Sequence, residues 1–397
     1  MIHDYSGHPF QVQLSRELAR RGHRVRHQYC SSYASGRGAV DEQPGDTELF
    51  SVEPMSMSGA FARYSPVKRV SQELRYGLQL GRSLRRSRPD VVVMCNIPLL
   101  AHAVAAVQLS AAGIPMVFWH QDVYSAAIRA AAERRLGWVG ARIGTLADRI
   151  ERGIARRSKR IVAISDAFLD VLHRWGVPSD RISVVPNWAA LPEMPVEPRD
   201  NTWARDHGLV GRATVLYSGT LGLKHNPVVF ADLADALAEV DPEARVVVVS
   251  EGRGRDVLEA ERERRKLSNL LLLDYQPYEH LPMVLGSADV LVAVLEPEAS
   301  RYSVPSKVLN YLCAARPVLG LMPVDNGAAQ MLVGSGAGII ADPADISESA
   351  ATLIDLLESS AGEDMGAAGR RYAEATFDIE RIGDQFEPVL LAAAQQP

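Results

Sequence analysis

Apolar residues in this chain fall into short dense runs, separated by longer segments in which apolar positions recur every three or four residues. The runs at 24–29, 49–53, 91–95, 116–120, 160–164 and 182–185 predict strands in the first half. Those at 214–218, 245–250, 270–274, 289–295, 317–321 and 338–341 do so in the second. Val91-Val92-Val93 and Val246-Val247-Val248-Val249 are apolar on both faces, as strands of a buried parallel sheet are. Helix-like segments alternate with these runs, so each half predicts a doubly wound α/β domain. The tract 186–198 holds four prolines and reads as the linker. The expected domains are 1–188 and 189–376, with a helix at 377–397 crossing back onto the first. In the first half Ile128, Ala132, Leu136, Val139, Ile143, Leu146, Ile150 and Ile154 share one face of a single long helix, part of which is expected in the core.

One element is short. A Rossmann-like half opens with a buried strand of about five residues, yet only Met1-Ile2-His3 precedes the loop at 4–9. The first strand therefore reads as truncated, with the expectation that the reading frame continues upstream in a short apolar run.

Composition narrows the class. At 397 residues, with 47% hydrophobic and 23% charged positions, the chain is an ordinary globular one of two-domain size. Cys30, Cys95 and Cys313 stand far apart, which argues for a reducing compartment and against a zinc site. The longest apolar run, 99–119, is interrupted by His102, Gln108, Gly113 and Pro115 and reads as a helix and a strand, not a span. A cytoplasmic protein is expected. Charge is divided unevenly: residues 1–190 carry 26 basic against 16 acidic side chains, and the rest 17 against 32, so +10 and −15 make up the net −5. The positive charge concentrates at 63–88 and 129–160. An anionic membrane surface is a candidate partner, the site then being peripheral to the inner face. Nucleic acid is not expected, because few aromatics interleave these stretches and no docking motif is present.

Candidate chemistry lies where strands give way to helices. Pro305-Ser306-Lys307 opens a short helix that Ala315-Arg316-Pro317 ends, and a loop feeding a helix start suits an anion. Gly219-Thr220 follows one strand and Gly252-Arg253-Gly254-Arg255 another, at the carboxyl ends where α/β sheets bind ligands. His120 ends a buried strand in Trp119-His120-Gln121-Asp122; by itself it reads more simply as a satisfied core histidine.

Taken in order, six segments resemble the family 4 glycosyltransferases of GT-B fold, and within them bacterial exopolysaccharide enzymes of the colanic-acid type. They are Gly7 with Leu18-Ala19-Arg20-Arg21-Gly22-His23, Ile164-Ser165-Asp166, Val184-Val185-Pro186-Asn187-Trp188, Tyr217 to Gly222, Ser250 to Arg255, and Pro305 to Lys307 with Arg316-Pro317-Val318. The resemblance implies an α/β GT-B protein with two Rossmann-like domains facing across a cleft. It implies transfer of a sugar, with retention, from a nucleotide-diphosphate sugar to a hydroxyl of a glycan or lipid-linked acceptor, without metal or other cofactor. The absence of any Asp-x-Asp agrees with the last point. His120, Lys224 and Arg253 would be the catalytic residues; Gly7, Gly219, Thr220, Arg255, Ser306, Lys307 and Asn310 would bind the donor. The family's pair of glutamates falls here on Tyr302 and Asn310, so the ribose would meet an amide without charge assistance. A GT-B sugar-nucleotide epimerase and a non-catalytic nucleotide-sugar-binding subunit of a polysaccharide assembly complex are the alternatives.

Overall fold

The computed structural model of the chain describes residues 1–32, 40–57, 66–221, 226–295 and 307–395. It divides into two compact units, one of Met1–Asn187 with Ile379–Pro397 and one of Trp188–Asp378.

The first unit is a parallel sheet of β1 (Ile2–Asp4), β2 (Val25–Cys30), β3 (Phe50–Met55), β4 (Val92–Cys95), β5 (Met116–His120), β6 (Arg160–Ala163) and β7 (Ile182–Val184) in the order β3-β2-β1-β4-β5-β6-β7. Its helices are α1 (Pro9–Arg20), α2 (Pro66–Ser87), α3 (Leu99–Ala111), α4 (Tyr124–Leu136), α5 (Trp138–Arg157) and α6 (Leu169–Arg174). The three residues of β1 pair on both sides, Ile2 opposite His27 of β2 and Val93 of β4. Strand alternation sends successive side chains to opposite layers. Trp119 meets Phe10 of α1 and Phe386 of the tail helix (Ile379–Ala394) at 5.8 and 4.7 Å, whereas Phe118 meets His102 of α3 at 4.9 Å. Polar contacts hold the tail as well: Arg21 donates to Asp384 at 2.8 Å and to Glu387 at 3.0 Å, and His23 lies 2.5 Å from Glu387. The Arg20-Arg21-Gly22-His23 stretch thus has a structural task.

The second unit is a parallel sheet of β8 (Thr214–Ser218), β9 (Arg245–Val249), β10 (Leu270–Leu273), β11 (Val290–Val294), β12 (Val318–Leu321) and β13 (Gly338–Ala341) in the order β10-β9-β8-β11-β12-β13. Around it lie α7 (Thr202–Asp206), α8 (Val229–Val240), α9 (Arg253–Arg265), α10 (Leu281–Gly286), α11 (Lys307–Cys313), α12 (Gly327–Ser335), α13 (Ile346–Glu358) and α14 (Ala361–Thr376). Val215, Val246, Val248, Val290, Val292 and Leu319 form its core with Phe230, Leu233 and Leu353.

Two expectations need correction. The boundary between the units falls inside the tract 186–198, at Asn187 and Trp188, as expected, but most of the tract is not a free linker. Trp188 and Met194 are buried, and the carbonyls of Met194 and Glu197 accept from Arg370 and Arg316 at 2.8 and 3.1 Å, so it packs within the second unit. The long helix expected over 128–154 is two helices, broken at Gly137 (φ +53°) and folded back as a hairpin. Of its apolar face Ile154 is buried, while Leu136, Val139, Ile143 and Leu146 are exposed. Periodicity identified the stripe correctly but could not say that sheet and helices would leave it uncovered.

Candidate functional site

In a doubly wound sheet the first strand is followed by neighbours on one side and then on the other. Between the two runs, loops diverge and leave a crevice at the carboxyl ends. That switch point lies between β1 and β4 in the first unit and between β8 and β11 in the second.

In the first unit β1 ends in Asp4, fully buried. Its Oδ1 accepts from Ser6 N at 3.0 Å and its Oδ2 from His8 N at 2.6 Å, so the carboxylate fixes the turn that carries Gly7 (φ +73°). From the other side of the crevice Asn96, which follows β4 with φ +55°, donates from Nδ2 to Asp4 Oδ1 at 3.2 Å. The Gln11 amide closes the ring: its nitrogen donates to Asp4 Oδ2 at 2.6 Å and its oxygen accepts from Asn96 at 3.1 Å. Burial pushes the Asp4 carboxyl above the usual carboxylate range, opposed by His8 and by the hydrogen bonds from Asn96, His8 and Ser6. A side chain other than glycine held at positive φ marks a backbone fixed by its surroundings. Asp4, Gln11 and Asn96 were not among the residues singled out from sequence, although an Asp at a strand end before Ser-Gly-His is a readable signal. Asp4→Asn would turn an amide N–H₂ toward donors that now face oxygen. It should lower stability by about 1–3 kcal/mol, seen as a lower melting temperature. An unchanged melting temperature would remove the clamp.

His120 differs from expectation. Its ring is wholly buried on the helix side of β5, among Phe118, Phe168 and Trp175 at 4.6, 5.0 and 5.8 Å, and its Nε2 lies 3.6 Å from Glu151. Glu151 in turn accepts from the Tyr124 and Ser125 N–H groups at 3.0 and 2.8 Å, capping the start of α4. The ring therefore cannot face a sugar. What His120 offers the crevice is main chain at the end of a rigid strand, followed by Gln121 paired with Asn187 at 3.0 and 2.6 Å.

In the second unit three chain segments converge at the carboxyl edge. Gly219 follows β8, and Leu221 N, two residues on, donates to Ser250 Oγ at 3.1 Å beyond the end of β9. The Gly252–Gly254 turn starts α9 hard against that loop. A Cβ on Gly254 would stand 2.7 Å from Leu221 O, so only glycine permits the approach. Thr220 Oγ1 pairs with Tyr275 Oη at 2.7 Å. Arg253 lies on the exposed side of the first turn of α9, and Arg255 pairs with Asp274 (3.2 Å) and Glu259 (3.8 Å). From the β11 side α11 brings Lys307, with Asn310 one turn on and half-buried. Tyr311 Oη pins this helix to β8 by bonding Ser218 O at 3.2 Å and Ser218 N at 3.0 Å. Lys307 Nζ donates to Tyr217 Oη at 2.5 Å, sits 4.1 Å from the ring centre, and lies 3.1 Å from where a Gly219 Cβ would be. Burial alone lowers its pKa to about 7. Gly219, Thr220, Arg253, Lys307 and Asn310 therefore gather at one edge of one sheet. Lys224 and Ser306 lie outside the described residues.

A helix start, glycine turns and a buried cation meet at this edge, an arrangement suited to an anion. Residues 8–188 match the family described as "Glycosyl transferase 4-like domain" and residues 212–359 that described as "Glycosyl transferases group 1". No curated protein sequence matches the chain. Among solved structures it is similar to Anabaena HepE in complex with UDP-glucose (17% identity, 98% of both chains, TM-score 0.70). It is also similar to sucrose-phosphate synthase from Thermosynechococcus elongatus (15% identity, 98% of this chain and 97% of that one, TM-score 0.74). A third is WaaG, a glycosyltransferase involved in lipopolysaccharide biosynthesis (16% identity, 96% and 98%, TM-score 0.69). With two family patterns spanning both units, two parallel doubly wound sheets and GT-B neighbours along nearly the whole chain, the protein belongs to the family 4 glycosyltransferases of GT-B fold.

Proposed function

We propose that the protein moves a sugar from a nucleotide-diphosphate sugar to a hydroxyl of a glycan or lipid-linked acceptor in cell-surface polysaccharide synthesis, with retention at the anomeric carbon. The observation that carries the reading is Lys307 held beneath the Gly219–Thr220 loop at the switch point of the second sheet. Sugar transfer places negative charge on the departing diphosphate, so donors fixed in advance around it lower the barrier most. Lys307 and Arg253 supply such donors from α11 and α9, the backbone at Gly219 admits the phosphates closely, and Asn310 serves the ribose. Lys224, in the Gly219-to-Lys224 segment of the sequence, is assigned the same task. HepE in complex with UDP-glucose and WaaG in lipopolysaccharide biosynthesis lend support as relatives in fold.

The test is a panel of nucleotide sugars read by thermal shift, because a ligand at a hundred times its Kd adds about 2.7 kcal/mol to stability, followed by transfer assays with the responding donor. Release of nucleoside diphosphate without a glycosylated product, or no shift with any donor, would overturn the assignment. Lys224→Ala should then reduce turnover by about 10²–10³ while leaving the melting temperature unchanged. Wild-type kinetics in that variant would take Lys224 out of the site.

A further inference from the structure

The C-terminal half of α2 carries its charge on one face. Tyr76, Leu80 and Leu84 are buried, and Gly77 and Gly81 let the helix lie close on α3. A Cβ on Gly77 would stand 2.5 Å from Ala101 O, and Gln108 Nε2 donates to Gly77 O at 3.3 Å. With that side committed to packing, Arg75, Arg82 and Arg86, at intervals of seven and four residues, share one exposed face. They span about 16 Å at 1.5 Å per residue.

That face borders two grooves. One, of about 940 Å³, runs between α2 and the strands β2 and β3, past Arg26, Glu53 and Met55. The other, of about 1110 Å³, lies at the amino edge of the sheet, where Asp90, Pro115 and Lys159 lead into β4, β5 and β6. Arg82 and Arg86 line both, so the two join into one trough. Seven arginines and Lys159 line it, against Glu53 and Asp90. Glu53 is already engaged by Gln28 at 2.8 Å and Arg26 at 3.8 Å. Arg75, Arg82, Arg85, Arg86 and Arg88 make no ion pair or hydrogen bond among the described residues. Arg85, Arg86 and Arg157 stand in the last turns of α2 and α5, where the helix dipole favours a cation. Arg75 and Arg82 lie more than a turn before the end of α2, and the dipole does not account for them. Neither groove includes Asp4, Gly7, Gln11 or Asn96, so the trough is separate from the crevice at the switch point.

We propose that the trough is an exosite for an anionic glycan chain, whose successive charged groups bind the guanidinium groups along α2. Several cations on one face call for a ligand whose charges recur along a chain, not for a single ion. Guanidinium forks bind carboxylate or phosphate oxygens in pairs, and Ser56, Gln79 and Ser110 offer hydrogen bonds to the hydroxyls between them. Among the described residues no aromatic side chain lines either groove, so the bases of a single-stranded nucleic acid would find nothing to stack on. A concave wall also fits a chain better than a flat lipid surface. The choice of a glycan rests on the proposed polysaccharide reading, but binding is measured without a donor, so either can fail without the other.

Oligogalacturonate labelled at its reducing end should bind the protein in a fluorescence anisotropy titration, with affinity that falls as salt rises. A neutral maltooligosaccharide of the same length should not bind. Arg75→Gln, Arg82→Gln and Arg86→Gln together should weaken binding about thirtyfold, about threefold for each exposed ion pair removed. Arg134→Gln, Arg135→Gln and Arg142→Gln remove the same charge from the far end of the α4–α5 hairpin, where Arg142 is about 22 Å along α5 from Arg157. They should leave the affinity within about twofold of wild type. All six positions are exposed, so both triple variants should keep the wild-type melting temperature and nucleotide-sugar binding. Equal losses in the two variants would reduce the effect to overall charge and overturn the proposal. So would no binding of oligogalacturonate, or binding of poly-glutamate, single-stranded DNA or anionic vesicles that is tighter and is abolished by the α2 substitutions.

Discussion

Replacing Lys307 with methionine should lower turnover of the nucleotide sugar by about 10²–10³, the worth of one preorganised donor to a developing charge. The same lysine should make wild-type donor binding depend on pH. Its pKa is lowered from 10.5 to about 7 by burial beside Tyr217. Below pH 7 the ammonium is present and meets the diphosphate at full charge. Above pH 7 the free protein must take up a proton to bind, so affinity should fall by up to about tenfold per unit. The fall ends where the bound-state pKa, raised by the anion, is reached. An intact nucleotide sugar is the right probe, because its diphosphate diester does not titrate in this range. Lys307→Arg keeps a charge that cannot be removed and should flatten the profile; Lys307→Met should flatten it at low affinity. A wild-type affinity constant from pH 6 to 9, together with unimpaired turnover in Lys307→Met, would contradict the placement of this residue under the phosphates.

Acidification should unfold the first unit before the second. His3, His27 and His102 are buried there and their pKa values are lowered to about 3, in each case chiefly by burial. Between pH 6.5 and 3 the unfolded chain binds protons on these rings that the native unit refuses. Stability is therefore unaffected above pH 6.5 and lost as pH falls below it, by about 1.4 kcal/mol per histidine per unit at most. Calorimetry from pH 7.5 to 5 should show one transition moving down with pH. His102→Leu, against Phe118 at the α3 contact, should reduce that slope by one histidine's share. A melting profile indifferent to pH over this range would show that the rings are hydrated or charged in the native unit.

The alternation of apolar runs and amphipathic segments by itself determined the two α/β halves, because a parallel strand buried on both faces has no other composition open to it. The strands at 116–120, 214–218 and 338–341 begin and end where the hydrophobic runs do. Glycines at 219, 252 and 254 also marked the turns at the carboxyl edge of the second sheet, two by positive φ and Gly254 by close backbone approach. What the sequence could not hold is the relation between segments far apart in it. Asp4, Gln11 and Asn96 meet only because β1 and β4 are neighbours across the switch point, and Lys307 gains its lowered pKa only from burial in the assembled unit, where it lies on Tyr217 from ninety residues earlier. Side-chain direction was equally out of reach. His120 ends the expected strand but turns its ring inward, because alternation puts it on the same face as Phe118. The stripe from Leu136 to Leu146 has the period of a core helix, yet the layers beneath it are already filled. Burial is a property of the assembled layers, and no periodicity can state which apolar face the fold will leave to another surface.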